Sequence, residues 1–248
     1  MLKILHDVRF AARTWRRSWG LAAVAILTLG LGIGATTALF SVVHAVLLRS
    51  FGYARSEELM LIGGTNRQGQ QTGVSAPDFR AVQQRTHSFQ QVGASRVQAF
   101  TLRGVREPVN VYGQLVTSEC FGVLGARPLI GRVFAETDFT ADARPVALLS
   151  FKLWRRDFGA DPQVIGRKVL IDGVDHAVIG VMPPEFQYPH PAFLMWAPWR
   201  MTAAELANRR AHAYRLIARL RPGVTQAAAA SELTSFSAAL EREFPDTT

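Results

Sequence analysis

Between Arg17 and Arg49 the chain carries no formally charged residue. Inside that interval lies Leu21 to Val43, LAAVAILTLGLGIGATTALFSVV, a run almost wholly apolar or small. Nothing else in the sequence restricts the fold as strongly. A helix rising about 1.5 Å per residue crosses a hydrocarbon core of roughly 30 Å in about 20 residues. The run therefore spans a bilayer with room for tilt, and its glycines suit a membrane helix better than a soluble one. A cleaved signal peptide would need a shorter apolar region, of about 7–15 residues, ahead of a small-residue site such as Val43-His44-Ala45. The string Gly30-Leu31-Gly32-Ile33-Gly34-Ala35 matches a dinucleotide-loop pattern, but that pattern has meaning only between a strand and a helix. Here it falls within one continuous apolar helix. Gly30, Gly34 and Ala38 recur every fourth residue, so they share a side on which a second helix can approach closely. Plain abundance of Gly and Ala in membrane helices explains the same spacing, and the sequence leaves both readings open.

The segment before the span, residues 1–19, reads as a basic amphipathic helix. Leu5, Val8, Ala12, Trp15 and Trp19 fall on one side, while Lys3, Arg9, Arg13, Arg16 and Arg17 occupy much of the rest. Such a helix lies in the plane of the membrane surface. Trp15 and Trp19 anchor it at the interface level, with Arg16 and Arg17 at the headgroups. The positive charge ahead of the span, against balanced Arg49, Arg55, Glu57 and Glu58 just after it, sets orientation. It places the N-terminus in the cytoplasm and residues 49–248 outside. The expected organisation is an interfacial helix over 1–19, a transmembrane helix over 20–48, and one outer domain over 49–248.

About 200 residues beyond the span are enough for a domain with its own core. A net charge of +9 raises the question of nucleic acid. The arginines are scattered singly, with no recognition-helix, finger or base-stacking signature, so nucleic acid is not an expected partner. The single cysteine, Cys120, allows no internal disulfide and no cysteine metal cluster.

From Phe51 the pattern is that of a mixed α and β body, and the fold class is α+β. Glu58 to Ile62 reads as a strand closed by Gly63-Gly64, and Thr65 to Gly73 as a polar loop. Ser75 is an N-cap and Pro77 sits in the first turn of a helix that runs to Arg85, with Phe89 and Val92 packing inward after it. Val97–Leu102 and Val109–Val116 read as strands around Gly104. Glu119–Leu124 is a short helix ended by Gly125. Arg127 to Arg132 is a turn-rich connection, Pro145 to Ser150 a buried strand, and Phe151–Phe158 a helix stopped by Gly159. Lys168–Ile171 and Asp175–Val181 flank Asp172-Gly173, a pair that favours a type I′ hairpin. Tyr188–Pro198, rich in proline and aromatics, reads as irregular or edge-like. Arg215–Arg221 alternates as a half-exposed strand. Thr225 to Glu243 is a helix burying Leu233, Phe236, Leu240 and Phe244.

Chemistry-bearing constellations do not assemble along this chain. Asp172 belongs to the turn, and Asp175 and His176 point to opposite faces of their strand, which argues against a metal there. No zinc-protease, nucleophile-elbow or calcium-loop pattern occurs. Cys120 reads as a buried, indifferent thiol. Trp196 and Trp199 read as packing residues, with a ligand groove as the lesser alternative. The expectation is a protein that is not an enzyme and binds no cofactor or metal of its own.

Several strings taken together do carry a family likeness: LTLGLGIGATTALFSVVHAVLLR, VSAPDF, CFGVLGARPLIGRVF, VALLSFKLWRRDFGADPQVIGRKVLIDGVDHAVIGVMPPEF and RLIARLRPGVT. In order and spacing they resemble the MacB/FtsX-like permease family of ABC transporters, in particular orphan permeases with a MacB-type periplasmic core domain. Cys120 stands where that pattern favours an aromatic or small residue, a departure that touches packing only. The resemblance implies residence in the bacterial cytoplasmic (inner) membrane with a periplasmic domain. Its implied partners are membrane lipid, a cytoplasmic ABC ATPase that binds the ATP, a second permease copy and a periplasmic partner protein. It implies efflux or mechanotransmission as the task. Family members continue with three further membrane helices and a cytoplasmic loop that meets the ATPase. These are not in the sequence, so the expectation is a permease subunit or its N-terminal portion. A single-pass anchored binding module working without an ATPase is the alternative.

Overall fold

The long strand Phe89–Arg103 organises everything packed around it. The computed structural model describes residues 53, 55–65, 70–103 and 108–245. The chain divides into Met1–Ser50 and Phe51–Thr248, and all described residues belong to the second unit. Gly30, Gly34, Ala38, Trp15, Trp19, Arg16 and Arg17 therefore lie outside the described residues, as do the expected interfacial and transmembrane helices. Among the described residues no helix is long and apolar enough to cross a membrane.

In chain order the strands are β1 (Leu59–Ile62), β2 (Gly64–Thr65), β3 (Gln71–Thr72), β4 (Phe89–Arg103), β5 (Val109–Val116), β6 (Ile130–Gly131) and β7 (Val146–Leu149), followed by β8 (Lys168–Ile171), β9 (Val174–Val181), β10 (Met195–Pro198) and β11 (Arg215–Leu220). The helices are α1 (Ala76–Arg85), α2 (Glu119–Leu124), α3 (Phe151–Phe158), α4 (Ala203–Ala207) and α5 (Gln226–Glu243). Successive hydrogen-bonded neighbours run β4-β5-β10-β7-β9-β8 and return to β4, so these strands close a barrel. Closure is possible because β4 is longer than its partners. One of its edges follows β5 from Ser95 to Leu102. Its other edge pairs with β11 over Phe89–Ser95 and then with β8 at Leu102 and Arg103. The N-terminal half of β4 thus carries a sheet extension, β11 and β1, while its C-terminal half belongs to the barrel. A closed sheet leaves few backbone groups unpaired.

Core residues sit on both faces of the central strands. Ala147, Leu149, Val178, Met195 and Ala197 point to one packed cluster, whereas Leu148, Ile179 and Trp196 point to another. A third cluster unites β11, β4 and α1 through Leu216, Ala218, Val92, Ala94 and Phe79. Each fully buried side chain of this kind contributes roughly 1.5–3 kcal/mol. Gly113 lets β5 and β10 meet: a Cβ there would lie 2.3 Å from the Met195 carbonyl oxygen.

The local signals held where turn and cap chemistry is explicit. Ser75 Oγ accepts from Asp78 N at 3.2 Å and caps α1. Gly125 adopts φ 61° at the end of α2, and Asp172 and Gly173 take φ 50° and 82° in the hairpin turn. The signals failed where burial rather than local chemistry decides. Tyr188–Pro198 is not edge-like throughout: β10 is a central strand, parallel to β5 and antiparallel to β7, and Trp196 is fully buried. The strand over 215–220 is not half exposed, because every residue from Leu216 to Leu220 is buried. The expected strand Val97–Leu102 is the C-terminal part of β4. The polar stretch after Gly63 pairs β2 with β3, and the 127–132 connection supplies β6 against β9. On α5 only Ala229 is fully buried, with Leu233 and Phe236 half-buried against the sheet extension.

Candidate functional site

The segment leading into β1 lies beside the sheet extension, where a buried arginine holds it. Arg219, on β11, is 6% exposed. Its Nε and Nη2 donate to the Val123 carbonyl at 3.0 and 2.7 Å, and its Nη1 donates to the Arg55 carbonyl at 3.3 Å and to Glu58 Oε2 at 3.1 Å. One guanidinium thereby joins α2, β11 and the segment leading into β1. Gln226, in the first turn of α5, adds a bond from Nε2 to the Glu57 carbonyl at 3.2 Å. Further along, α5 is tied down again. Glu243 accepts from both Nη atoms of Arg85, and Glu232 accepts from the backbone N–H groups of His87 and Ser88 at 2.7 and 2.9 Å. The first strand and the last helix are thus attached to the same sheet extension.

The second feature is the barrel mouth. At one end of the barrel, α3 follows directly on β7, and its Leu153, Trp154 and Phe158 pack among the barrel's inward residues. Away from α3 opens a cavity of about 510 Å³. Phe100, Leu115, Ile171 and Ala197 line it, with Arg96, Gln98, Asp172 and His176 among its polar lining. A neighbouring cavity of about 250 Å³ lies over α1 and α2, and Trp199 and Arg200 line both.

A polar knot forms one wall of the mouth. Trp199 stacks on Tyr214 with ring centroids 4.0 Å apart. Glu205 Oε1 accepts from Tyr214 Oη at 3.1 Å and Trp199 Nε1 at 3.4 Å, and Oε2 accepts from Thr202 N and Oγ1 at 2.9 and 3.0 Å. Partial burial alone would raise the Glu205 carboxyl. The donors of Thr202, Tyr214 and Trp199 outweigh it and hold the group below the ordinary carboxylate range. Thr202-Ala203-Ala204-Glu205 is a capping box, a pattern visible in sequence. Arg96 adds a looser ion pair to Glu205 at 3.5 Å. Neither Arg96 nor Tyr214 carried a signal in the sequence, since only the pairing of β4 with β11 brings them to this wall.

Of the residues weighed in sequence for chemistry, Asp172 and His176 both line the mouth, yet each is held by the backbone. Asp172 Oδ1 accepts from Thr101 N at 2.8 Å, bracing the hairpin against β4, while His176 Nδ1 lies 2.9 Å from the Val174 carbonyl oxygen. Among the described residues no three His, Cys, Asp or Glu side chains gather as a metal site. Cys120 is fully buried under Gly93, its thiol donates to the Ala94 carbonyl at 3.1 Å, and burial pushes its pKa up to about 12. Trp196 is core, and Trp199 is packing residue and cavity wall at once.

The MacB-like periplasmic core domain family model matches residues 22–236. Among solved structures, the chain is similar to the periplasmic region of MacB from Actinobacillus actinomycetemcomitans, at 17% identity and a TM-score of 0.57, over 79% of this chain and 89% of that one. It is also similar to the extracellular domain of the noncanonic ABC-type transporter YknZ from Gram-positive bacteria, at 20% identity and a TM-score of 0.50, over 66% of this chain and 83% of that one. At such identities the likeness is one of fold. No curated protein matches the chain by sequence.

Proposed function

Because the chain belongs to the MacB-like periplasmic core domain family, we propose that it is a non-catalytic permease subunit of a MacB-type ABC system, or the N-terminal portion of one. In this reading it resides in the cytoplasmic membrane with its N-terminus inside. A separate cytoplasmic ATPase binds and hydrolyses ATP, and the outer domain moves in response to expel a substrate or act on a periplasmic partner protein. Membrane lipid and a second permease copy are its neighbours. The observation that carries the reading is the double attachment of the sheet extension. Arg219 and Gln226 hold the segment leading into β1, and Glu232 and Arg85 hold α5. In this reading a displacement delivered through the first strand passes to the barrel along the paired strands β1, β11 and β4, with these hydrogen bonds bracing the path.

Affinity purification of the tagged full chain from its native membrane tests this. An ABC ATPase is expected to co-purify in stoichiometric amount and to turn over ATP. Its absence would remove the permease reading. A reporter fused after Thr248 tests the orientation, with alkaline phosphatase activity expected and cytoplasmic fluorescence contradicting it. The second reading, an anchored module that captures a ligand without an ATPase, draws its support from the open barrel mouth.

A further inference from the structure

Lys152, Arg155 and Arg156 stand exposed three and four residues apart on α3, while Leu153, Trp154 and Phe158 fill the barrel end beneath them. Like charges at these spacings repel, and Lys152 occupies the first turn, where the helix dipole disfavours a cation. Helix stability alone argues against this pattern. Arg167 and Lys168 extend it. Both are exposed, and the Arg167 guanidinium lies 5.7 Å from the Phe158 ring centroid, against the last turn of α3. From Phe151 to Lys168 the chain thus carries five cations and two carboxylates. Asp157 is occupied by Arg156, whose Nε and Nη2 donate to it at 2.9 and 2.6 Å, and Asp161 Oδ1 accepts from Gln163 N at 2.9 Å.

Two of these arginines are held in place without being used. Arg155 lies over the Phe151 ring at 5.6 Å, as Arg167 does over Phe158. Stacking engages the flat face of a guanidinium and leaves the N–H groups at its edge free to donate outward. Arg85, Arg132 and Arg219 spend those groups on Glu243, Asp138 and Glu58. Among the described residues, Arg155 and Arg167 meet no carboxylate. Beside them Ile165 leaves 39% of its surface exposed. Arginine edges next to an exposed aliphatic group are the mixture found where proteins meet proteins. The position of this face agrees. Through β5 and β10, β7 runs in the same direction as β4, so α3, which follows β7, lies toward the Arg103 end. The chain enters β1 at Leu59, level with Arg219 and Gln91, at the opposite end of β4. That placement favours a partner protein over a lipid surface.

We propose that the α3 end of the barrel docks an acidic, amphipathic segment of a partner protein, with carboxylates on Arg155 and Arg167 and an apolar side chain on Ile165. Paired N–H groups at each guanidinium edge suit a carboxylate's two oxygens. The inference gives a surface to the periplasmic partner and so rests on the permease reading. Its test involves no ATPase, so its failure and the loss of a co-purifying ATPase are separate results.

The test uses the full chain in phosphatidylcholine nanodiscs, with empty nanodiscs as the blank. The probe is a fluorescein-labelled acidic peptide, acetyl-EELAELIEELAEL-amide, followed by fluorescence anisotropy. The same peptide with lysine for every glutamate is the comparison. Saturable binding of the acidic peptide alone is expected in wild type, weakening as salt is raised. The double variant Arg155→Gln, Arg167→Gln should weaken it about tenfold. The double variant Arg210→Gln, Arg242→Gln removes the same charge from exposed positions elsewhere and should change it less than about threefold. Ile165→Ser should weaken it as well. Circular dichroism establishes folding, and Arg155→Gln alone carries the comparison if the first double variant does not fold. Absence of saturable binding in wild type overturns the proposal, as does equal weakening by the two double variants, which would mark general charge attraction. Phosphatidylglycerol vesicles are titrated in parallel. If they, and not the peptide, bind wild type and are lost with Arg155 and Arg167, the face belongs to lipid and the proposal falls.

Discussion

Arg219 sits where simple alternation places a surface cation, yet it is buried and joins three parts of the chain. Breaking a buried, hydrogen-bonded ion pair from one side leaves its acceptors short of donors. Arg219→Ala should therefore lower unfolding stability by about 1–3 kcal/mol, read as a fall in the denaturation midpoint of the full chain in detergent. A loss below about 0.5 kcal/mol, the size typical of a surface ion pair, would refute the linking role. Cys120 behaves oppositely, since its burial was legible from its apolar setting and the structure adds a consequence. Its thiol keeps its proton in the folded state up to about 12, whereas a free cysteine, as in the unfolded chain, titrates at about 8.5. Between these values the unfolded state binds fewer protons, so stability is fully present below about pH 8.5 and is lost as pH rises through this window. The native thiol should stay unreactive toward Ellman's reagent at pH 8 and react at once on unfolding. The denaturation midpoint of wild type should fall between pH 8 and pH 9.5 more steeply than that of Cys120→Ala. Equal slopes would show that the thiol plays no part.

At the scale of elements, the features written in local chemistry were readable and those written in packing were not. Ser75 before Pro77, Gly125 after a short apolar run and Asp172-Gly173 between alternating segments each name a backbone geometry that few other residues supply. The same cannot be said of β10. Proline and aromatic residues crowd the stretch before it, and only the parallel pairing of Met195–Pro198 with Gly113–Val116 makes it a central strand. In β11 the alternation was real but misread: Leu216 and Ala218 face one cluster, Ile217 faces another, and the interposed Arg219 is satisfied internally. The β8–β9 hairpin offers a direct check on what the turn is worth. Gly173 has φ 82° with open space where a Cβ would go, so a substitution there strains the backbone and clashes with nothing. Gly173→Ala should cost about 1–2 kcal/mol. Because β8 closes the barrel against β4, amides of β4 and β8 should exchange faster with solvent in this variant. Unchanged protection at Leu102 and Ile171 would mean that closure does not depend on the turn.

On the scale of the whole molecule, the sequence marks a mixed α and β body and does not mark the barrel. Closure depends on which half of a fifteen-residue strand meets β11 and which end meets β8, a long-range pairing that no periodicity encodes. The Arg96 wall of the mouth is hidden for the same reason. The candidate membrane span is the reverse case: the uncharged run from Ser18 to Leu48 is explicit in sequence and lies outside the described residues. The reading of this chain as one copy in a permease pair turns on that run. The sequence expectation is that Gly30, Gly34 and Ala38 share one helical side free of bulk, and close packing is the main force between helices in lipid, where apolar burial gives none. If the run is a membrane helix packed through that side, leucine at Gly34 keeps it hydrophobic and blocks the close approach. Gly34→Leu should therefore abolish self-association of the full chain, or its pairing with a partner permease helix, in a membrane two-hybrid assay at unchanged membrane abundance. Gly32→Leu, which falls on a different side of the same helix, should leave association in place. If both variants pair as wild type does, the small residues are only membrane-helix composition. If both fail, the loss is general to added bulk in this run, and no specific face joins the copies.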